Sequence, residues 1–143
     1  MPLFLWKKSY EVGIAEIDIQ HRNLVGIINE LSDAMMNKKG YTVVPHIIEK
    51  LVDYIQFHFT TEEEIMRDTK YPAIDEHCQE HLVITNKVLK FKKDYSKSHL
   101  INSGEVLNFL CDWLKEHIAV SDKKLRAHIG PDTIPPQKSR PFV

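Results

Sequence analysis

The chain reads as an all-α protein, an antiparallel up-down-up-down four-helix bundle with an irregular N-terminal arm (1–16) and a Pro-rich C-terminal tail (130–143). Three observations predict this. Apolar residues recur in alternating steps of three and four along four separate stretches, the spacing that lines one face of an α-helix. The links between those stretches are short, which folds consecutive helices back on one another. No run of alternating apolar and polar residues argues for a strand. The 143 residues, 43% of them hydrophobic and 27% charged, suffice for a single domain with a proper core.

Each helix has its own seam. The first is expected over about 18–38, with Asp18 as its cap and Ile17, His21, Leu24, Ile28, Leu31 and Met35 on one face; Gly40 suits its left-handed end. The second, about 43–67, starts at a Thr42 cap and carries Val44, Ile48, Leu51, Ile55, His58, Glu62 and Ile65. A short link through Tyr71 and Pro72 leads to the third, about 73–95, with Ile74, His77, His81, Ile84, Val88 and Phe91. A polar loop from Ser96 to Ser103 precedes the fourth, about 104–127, which carries Leu107, Leu110, Leu114 and His117. Prolines 131, 135, 136 and 141 end helix beyond Gly130.

Composition excludes several classes. A net charge of −1 offers nothing to attract nucleic acid or an anionic membrane. No run of about 18 apolar residues could span a bilayer, and the N-terminus lacks the pattern of a secretory leader. Cys78 and Cys111 sit within helical patterns, not in a CxxC or a disulfide framework, so the expectation is a cytoplasmic protein with reduced thiols.

The chemistry lies where polar residues interrupt the seams. His21, His58, Glu62, His77, His81 and His117 all occupy positions where the pattern asks for Leu or Ile. One core histidine alone is ordinarily satisfied by a neighbour. Six such residues are another matter. A buried polar group without a partner costs on the order of 2–7 kcal/mol, against a domain stability of about 5–15 kcal/mol. Metal resolves the problem, because each ring ligates with one nitrogen and donates the other outward. In an alternating bundle all five histidines also fall toward one end. Five imidazoles exceed one tetrahedral zinc site, so two metals are implied, with Glu62 as a bridging candidate. Asp122 is the next acidic residue after His117 on the fourth helix, but five residues along an α-helix place it about 140° round. It needs a local distortion or a reach around the helix. No Glu-x-x-His pair exists, which sets this site apart from ferritin-like di-iron centres.

Ile17-Asp-Ile-Gln-His21, His58-Phe-Thr-Thr-Glu62, His77-x-x-x-His81 and His117-x-x-x-x-Asp122 together resemble the hemerythrin family in its single-domain, bacteriohemerythrin-like form, over about residues 6–122. The resemblance implies a non-haem, carboxylate-bridged pair of iron ions (Fe2+/Fe3+) with a bridging oxo or hydroxo group. By analogy His77, His81 and His117 hold one iron, His21 and His58 the other, and Glu62 and Asp122 bridge both. Two histidines leave the second iron one ligand short, and O2, or a small anion such as azide, is expected there. Leu24, Phe59, Trp113, Leu114 and Ile118 match the family's apolar lining. The implied function is reversible O2 binding for storage, delivery or sensing, without enzyme activity. The alternatives are a di-iron redox enzyme (oxidase, peroxidase or nitric-oxide handling) and an iron-buffering protein. An enzyme would call for a proton donor near the open position, where the expected lining is apolar.

Overall fold

The computed structural model describes residues 6–98 and 101–129. Four long rods form an antiparallel bundle: α1 spans Ala15–Met36, α2 Gly40–Asp68, α3 Ile74–Ser98, and α4 begins the last rod at Ser103–Asp112. That rod continues through a π-helical segment, Trp113–Asp122, into α5, Lys123–Ile129, and its junction residues keep helical backbone angles. A 3-10 turn at Lys8–Tyr10 precedes α1, and the described residues contain no strand. α1 packs on α2 and α4, α2 on α3, and α3 on the π segment. The tail, His99 and the first five residues of the arm lie outside the described residues.

The helix ends differ from expectation in instructive ways. α1 starts three residues before Asp18, whose carboxylate instead accepts hydrogen bonds from the Val12 and Gly13 amides at 2.7 and 3.1 Å, tying the arm to the helix. The left-handed residue after α1 is Lys38 (φ 59°), not Gly40. Gly40 opens α2, ahead of the expected Thr42 cap, and is needed for room. A Cβ there would lie 2.8 Å from Ser103 Oγ and 2.9 Å from the Met35 side chain. At the start of α4 the cap is Asn102, not Ser103: its Oδ1 accepts from the Gly104 and Glu105 amides, meeting two donors that a helix start leaves unpaired. Val106, rather than Leu107, takes the buried position of the first turn.

Two apolar clusters fill the bundle. The larger runs from Leu24 and Ile28 through Leu51, Ile55, Val88 and Phe91 to Leu110, Leu114 and Ile118. The smaller holds Val12, Ile14, Ile17, Ile65, Met66, Tyr71, Leu125 and Ile129 at one end. Along each helix the polar seam residues fall between members of the two clusters, for example His21 between Ile17 and Leu24. A buried polar layer thus lies between two hydrophobic plugs that keep water from it.

Candidate metal centre

Five imidazoles and two carboxylates meet in that layer. His21, His58, Glu62, His77, His81, His117 and Asp122 are each 3% exposed or less. α1 supplies His21; α2 supplies His58 and Glu62 one turn apart; α3 supplies His77 and His81 one turn apart. The π segment supplies both His117 and Asp122. An i→i+5 hydrogen-bond ladder brings residues five apart into register, which an α-helix does not. The distortion that Asp122 required is therefore a change of helical winding, and the uniform fourth helix expected over 104–127 is corrected accordingly.

The carboxylates divide their oxygens between two groups of histidines. Glu62 Oε2 lies 2.8 Å from His77 Nε2 and 3.1 Å from His81 Nε2, while Oε1 lies 2.7 Å from His58 Nε2 and 3.8 Å from His21 Nε2. Asp122 repeats the pattern: Oδ1 is 3.0 Å from His77 and 3.4 Å from His117, and Oδ2 is 2.9 Å from His21 and 3.9 Å from His58. Two sets of potential ligand atoms result, Glu62 with His77, His81 and His117, and Glu62 and Asp122 with His21 and His58, each within 4.8 Å.

Hydrogen bonding does not account for this convergence. Both ring nitrogens of His21, Nε2 of His58 and His117, Glu62 Oε1 and both oxygens of Asp122 are buried without a hydrogen bond of acceptable direction among the described residues. Several sit within 3 Å of an opposite group, so distance is satisfied and direction is not. The rings aim at the space between the carboxylates. Each unpaired buried group costs about 1–3 kcal/mol, and five residues carry such atoms. A cation in each group would meet all of them except His21 Nδ1, which faces away from the carboxylates. Imidazole nitrogens and carboxylate oxygens together suit divalent iron or zinc.

Outward-facing nitrogens fix which atoms face inward. His58 Nδ1 lies 2.7 Å from Gln20 Oε1, and Gln20 is held in turn by the Thr61 hydroxyl. His81 Nδ1 meets Glu63 Oε2 at 2.9 Å. His117 Nδ1 meets Glu80 Oε1 at 3.3 Å, and the Ser121 hydroxyl donates to that same oxygen at 2.6 Å. An amide or carboxylate oxygen can only accept, so each Nδ1 carries a proton and each neutral ring turns its Nε2 lone pair inward, as a ligand must.

Electrostatics agree. Burial lowers the pKa of His21, but the nearby Asp122 and Glu62 outweigh it and leave it raised to about 9. His77 rises to about 10 for the same reasons, and His117 is raised as well. His58 is the exception, lowered because burial dominates. Burial works to raise Glu62, yet the imidazoles, led by His58, hold it well below its ordinary value. Asp122 is also lowered, by His117, His21 and His77, against burial and the Glu62 charge. In the metal-free layer the two ionised carboxylates therefore hold protons on the rings around them, protons that entering cations would displace.

Among the expected lining residues, Leu24, Leu114 and Ile118 are fully buried and Trp113 nearly so. The Phe59 ring stacks on His81, centroids 3.9 Å apart, and also lies beside His58, centroids 5.7 Å apart. The aromatic ring stacked on His58 is Tyr54, which sequence reasoning missed, at 5.1 Å. Burial, then the charges of Glu62 and Asp122, raise its phenol pKa well above the ordinary value, so it stays protonated. The outer partners Gln20, Glu63, Glu80 and Ser121 were missed too, although each adjoins a residue of the cluster in sequence. The remaining described histidines stand apart, His46 exposed near Glu30 and His128 against the Thr69 carbonyl.

The family model described as the Hemerythrin HHE cation binding domain matches residues 12–129. A bacteriohemerythrin of Stenotrophomonas maltophilia is 33% identical over 92 residues, 64% of this chain and 60% of that protein. One from Clostridium acetobutylicum is 34% identical over 62% of this chain and 71% of its own length. A myohemerythrin of Theromyzon tessulatum is 33% identical over 78 residues, 54% of this chain and 59% of that protein. The chain thus spans about 60% of the length of the first of these relatives. Solved structures of hemerythrin point mutants superpose with a TM-score of 0.80 at 22% identity, covering 90% of this chain and 98% of theirs, which establishes the shared fold.

Proposed function

The chain belongs to the hemerythrin family, and from that premise we propose that it binds O2 reversibly at two carboxylate-bridged iron ions, for oxygen storage, delivery or sensing. His77, His81 and His117 would hold one iron, His21 and His58 the other, and Glu62 and Asp122 both. One observation carries the reading: each carboxylate turns one oxygen to each histidine group, the arrangement a bridging ligand requires. The relatives named above are hemerythrins, which supports iron over zinc. When bound, iron supplies reversible electron transfer to O2. The chain supplies the rest. Gln20 orients the His58 ring, while Leu24, Leu114 and Ile118 exclude water that would otherwise help reduced oxygen escape. No helix of the described residues is long and apolar enough to cross a bilayer.

The test is a cycle. Reduced, iron-loaded protein is exposed to O2 and then stripped of it while the visible spectrum is followed. A charge-transfer band that appears and vanishes with O2 supports the carrier; irreversible oxidation on first exposure overturns it. A redox enzyme on the same ligands is the second reading, and the protonated Tyr54 phenol stacked on His58 favours it. Catalytic turnover with an added reductant and O2, lost in Tyr54→Phe, would establish that reading.

A further inference from the structure

The outer partners of the histidines follow a rule around the bundle. Gln20 on α1 supports His58 on α2, Glu63 on α2 supports His81 on α3, and Glu80 on α3 supports His117 on the π segment. Each supporter is the immediate sequence neighbour of a residue of the cluster, namely His21, Glu62 and His81. A neighbour points about 100° away on a helix, into the groove facing the next helix, where it meets that helix's histidine. The series does not close. His21 Nδ1 on α1 is buried with no hydrogen-bond partner among the described residues, and Ser121, the neighbour of Asp122, turns to Glu80 instead.

The chemistry of the supporters is sorted by group. Both carboxylate supporters serve the three-histidine group, on two of its rings, His81 and His117; the two-histidine group receives one neutral amide and one ring without support. A carboxylate accepting the Nδ1 proton pushes electron density into the ring and makes Nε2 a stronger donor, whereas an amide orients the ring with little added charge. Resting on the ligand assignment proposed above, we infer that Glu63 and Glu80 are positioning residues that make the two metal positions unequal. The three-histidine position is the electron-rich one that loads first and holds its ion more tightly, and Gln20 keeps the two-histidine position weaker.

Isosteric exchange separates charge from shape, because Glu→Gln retains an acceptor oxygen where it stood. Metal-free protein is titrated with Co2+ and followed by its visible absorption. Wild type is expected to take up two ions in two separable phases. Glu63→Gln and Glu80→Gln should each weaken the tighter phase by about 10–100-fold and leave the other unmoved. Gln20→Glu should tighten the weaker phase. Affinities unchanged in both Glu→Gln variants mean that the contacts are only structural, which overturns the inference; so does equal weakening of both phases. A wild type that takes up fewer than two ions overturns the ligand assignment itself, and the inference with it.

Discussion

α2 and the last helical rod do the same job with different backbones. On α2, His58 and Glu62 stand four residues apart on a regular helix; on the last rod, His117 and Asp122 stand five apart on a π-helical segment. Glu62 and Asp122 nonetheless divide their oxygens between the same two histidine groups. The α-helical solution follows from a 3.6-residue repeat and is what that backbone does by default. The π solution replaces the i→i+4 hydrogen bonds of an α-helix with i→i+5 ones over ten residues, and such segments are rare and cluster at functional sites. Winding is thus a second means, beside spacing, of placing a carboxylate.

The sharpest tests of the comparison remove first the histidine that both carboxylates face and then one of the carboxylates. His77→Ala is expected to abolish the two-metal centre, since His77 lies within 3.0 Å of oxygens from both carboxylates. Two irons per chain by metal analysis would contradict its role. Asp122→Asn keeps the shape of the π-borne carboxylate and removes its charge. It is expected to lower iron uptake below two per chain, leaving the fold intact by circular dichroism.

Proton competition tests the same layer in the metal-free chain. His21 and His77 are raised from 6.5 to about 9 and about 10. A histidine raised in the folded state contributes its stability in full below 6.5 and loses it as the pH climbs through the folded value. Urea unfolding of the metal-free chain should therefore show declining stability from pH 6.5 towards 10. His58, held low by burial, acts in the opposite sense at acid pH, destabilising the fold where the unfolded ring is protonated. In the metal-loaded chain the alkaline decline should disappear, because metal displaces those protons.

Leu114→Ala probes the π segment through its packing. The side chain is fully buried, so the change should cost about 2–5 kcal/mol in denaturant unfolding and shorten the life of the O2 adduct. An unchanged lifetime would remove Leu114 from the lining. The smallest expected effect is dynamic. Amides of 113–122 should exchange with solvent faster than those of 55–65 in metal-free protein, and metal should slow them, because the ligands pin the irregular winding from one side.

The legibility of the chain follows the same division. Helices, their order and their antiparallel packing were readable because a three-four repeat is local and each seam states its own face. The candidate ligands at His21, His58, Glu62, His77, His81 and His117 were readable as polar breaks in those seams. Their energetic cost demanded an explanation whatever the details of packing. Asp122 was only half readable: it is the next acidic residue after His117, but α geometry turns it away, and the family resemblance rather than the spacing singled it out.

What the sequence determined by itself, then, is which side chains enter the core, because burial follows helical period and polar burial requires a partner. Only the tertiary structure decided the π winding at Trp113–Asp122, the Tyr54 ring on His58, and the supports from Gln20, Glu63 and Glu80. These depend on the height and rotation at which one helix meets the next. That relation joins residues far apart along the chain, 41 positions in the Glu80–Ser121 bond, and no local repeat encodes it.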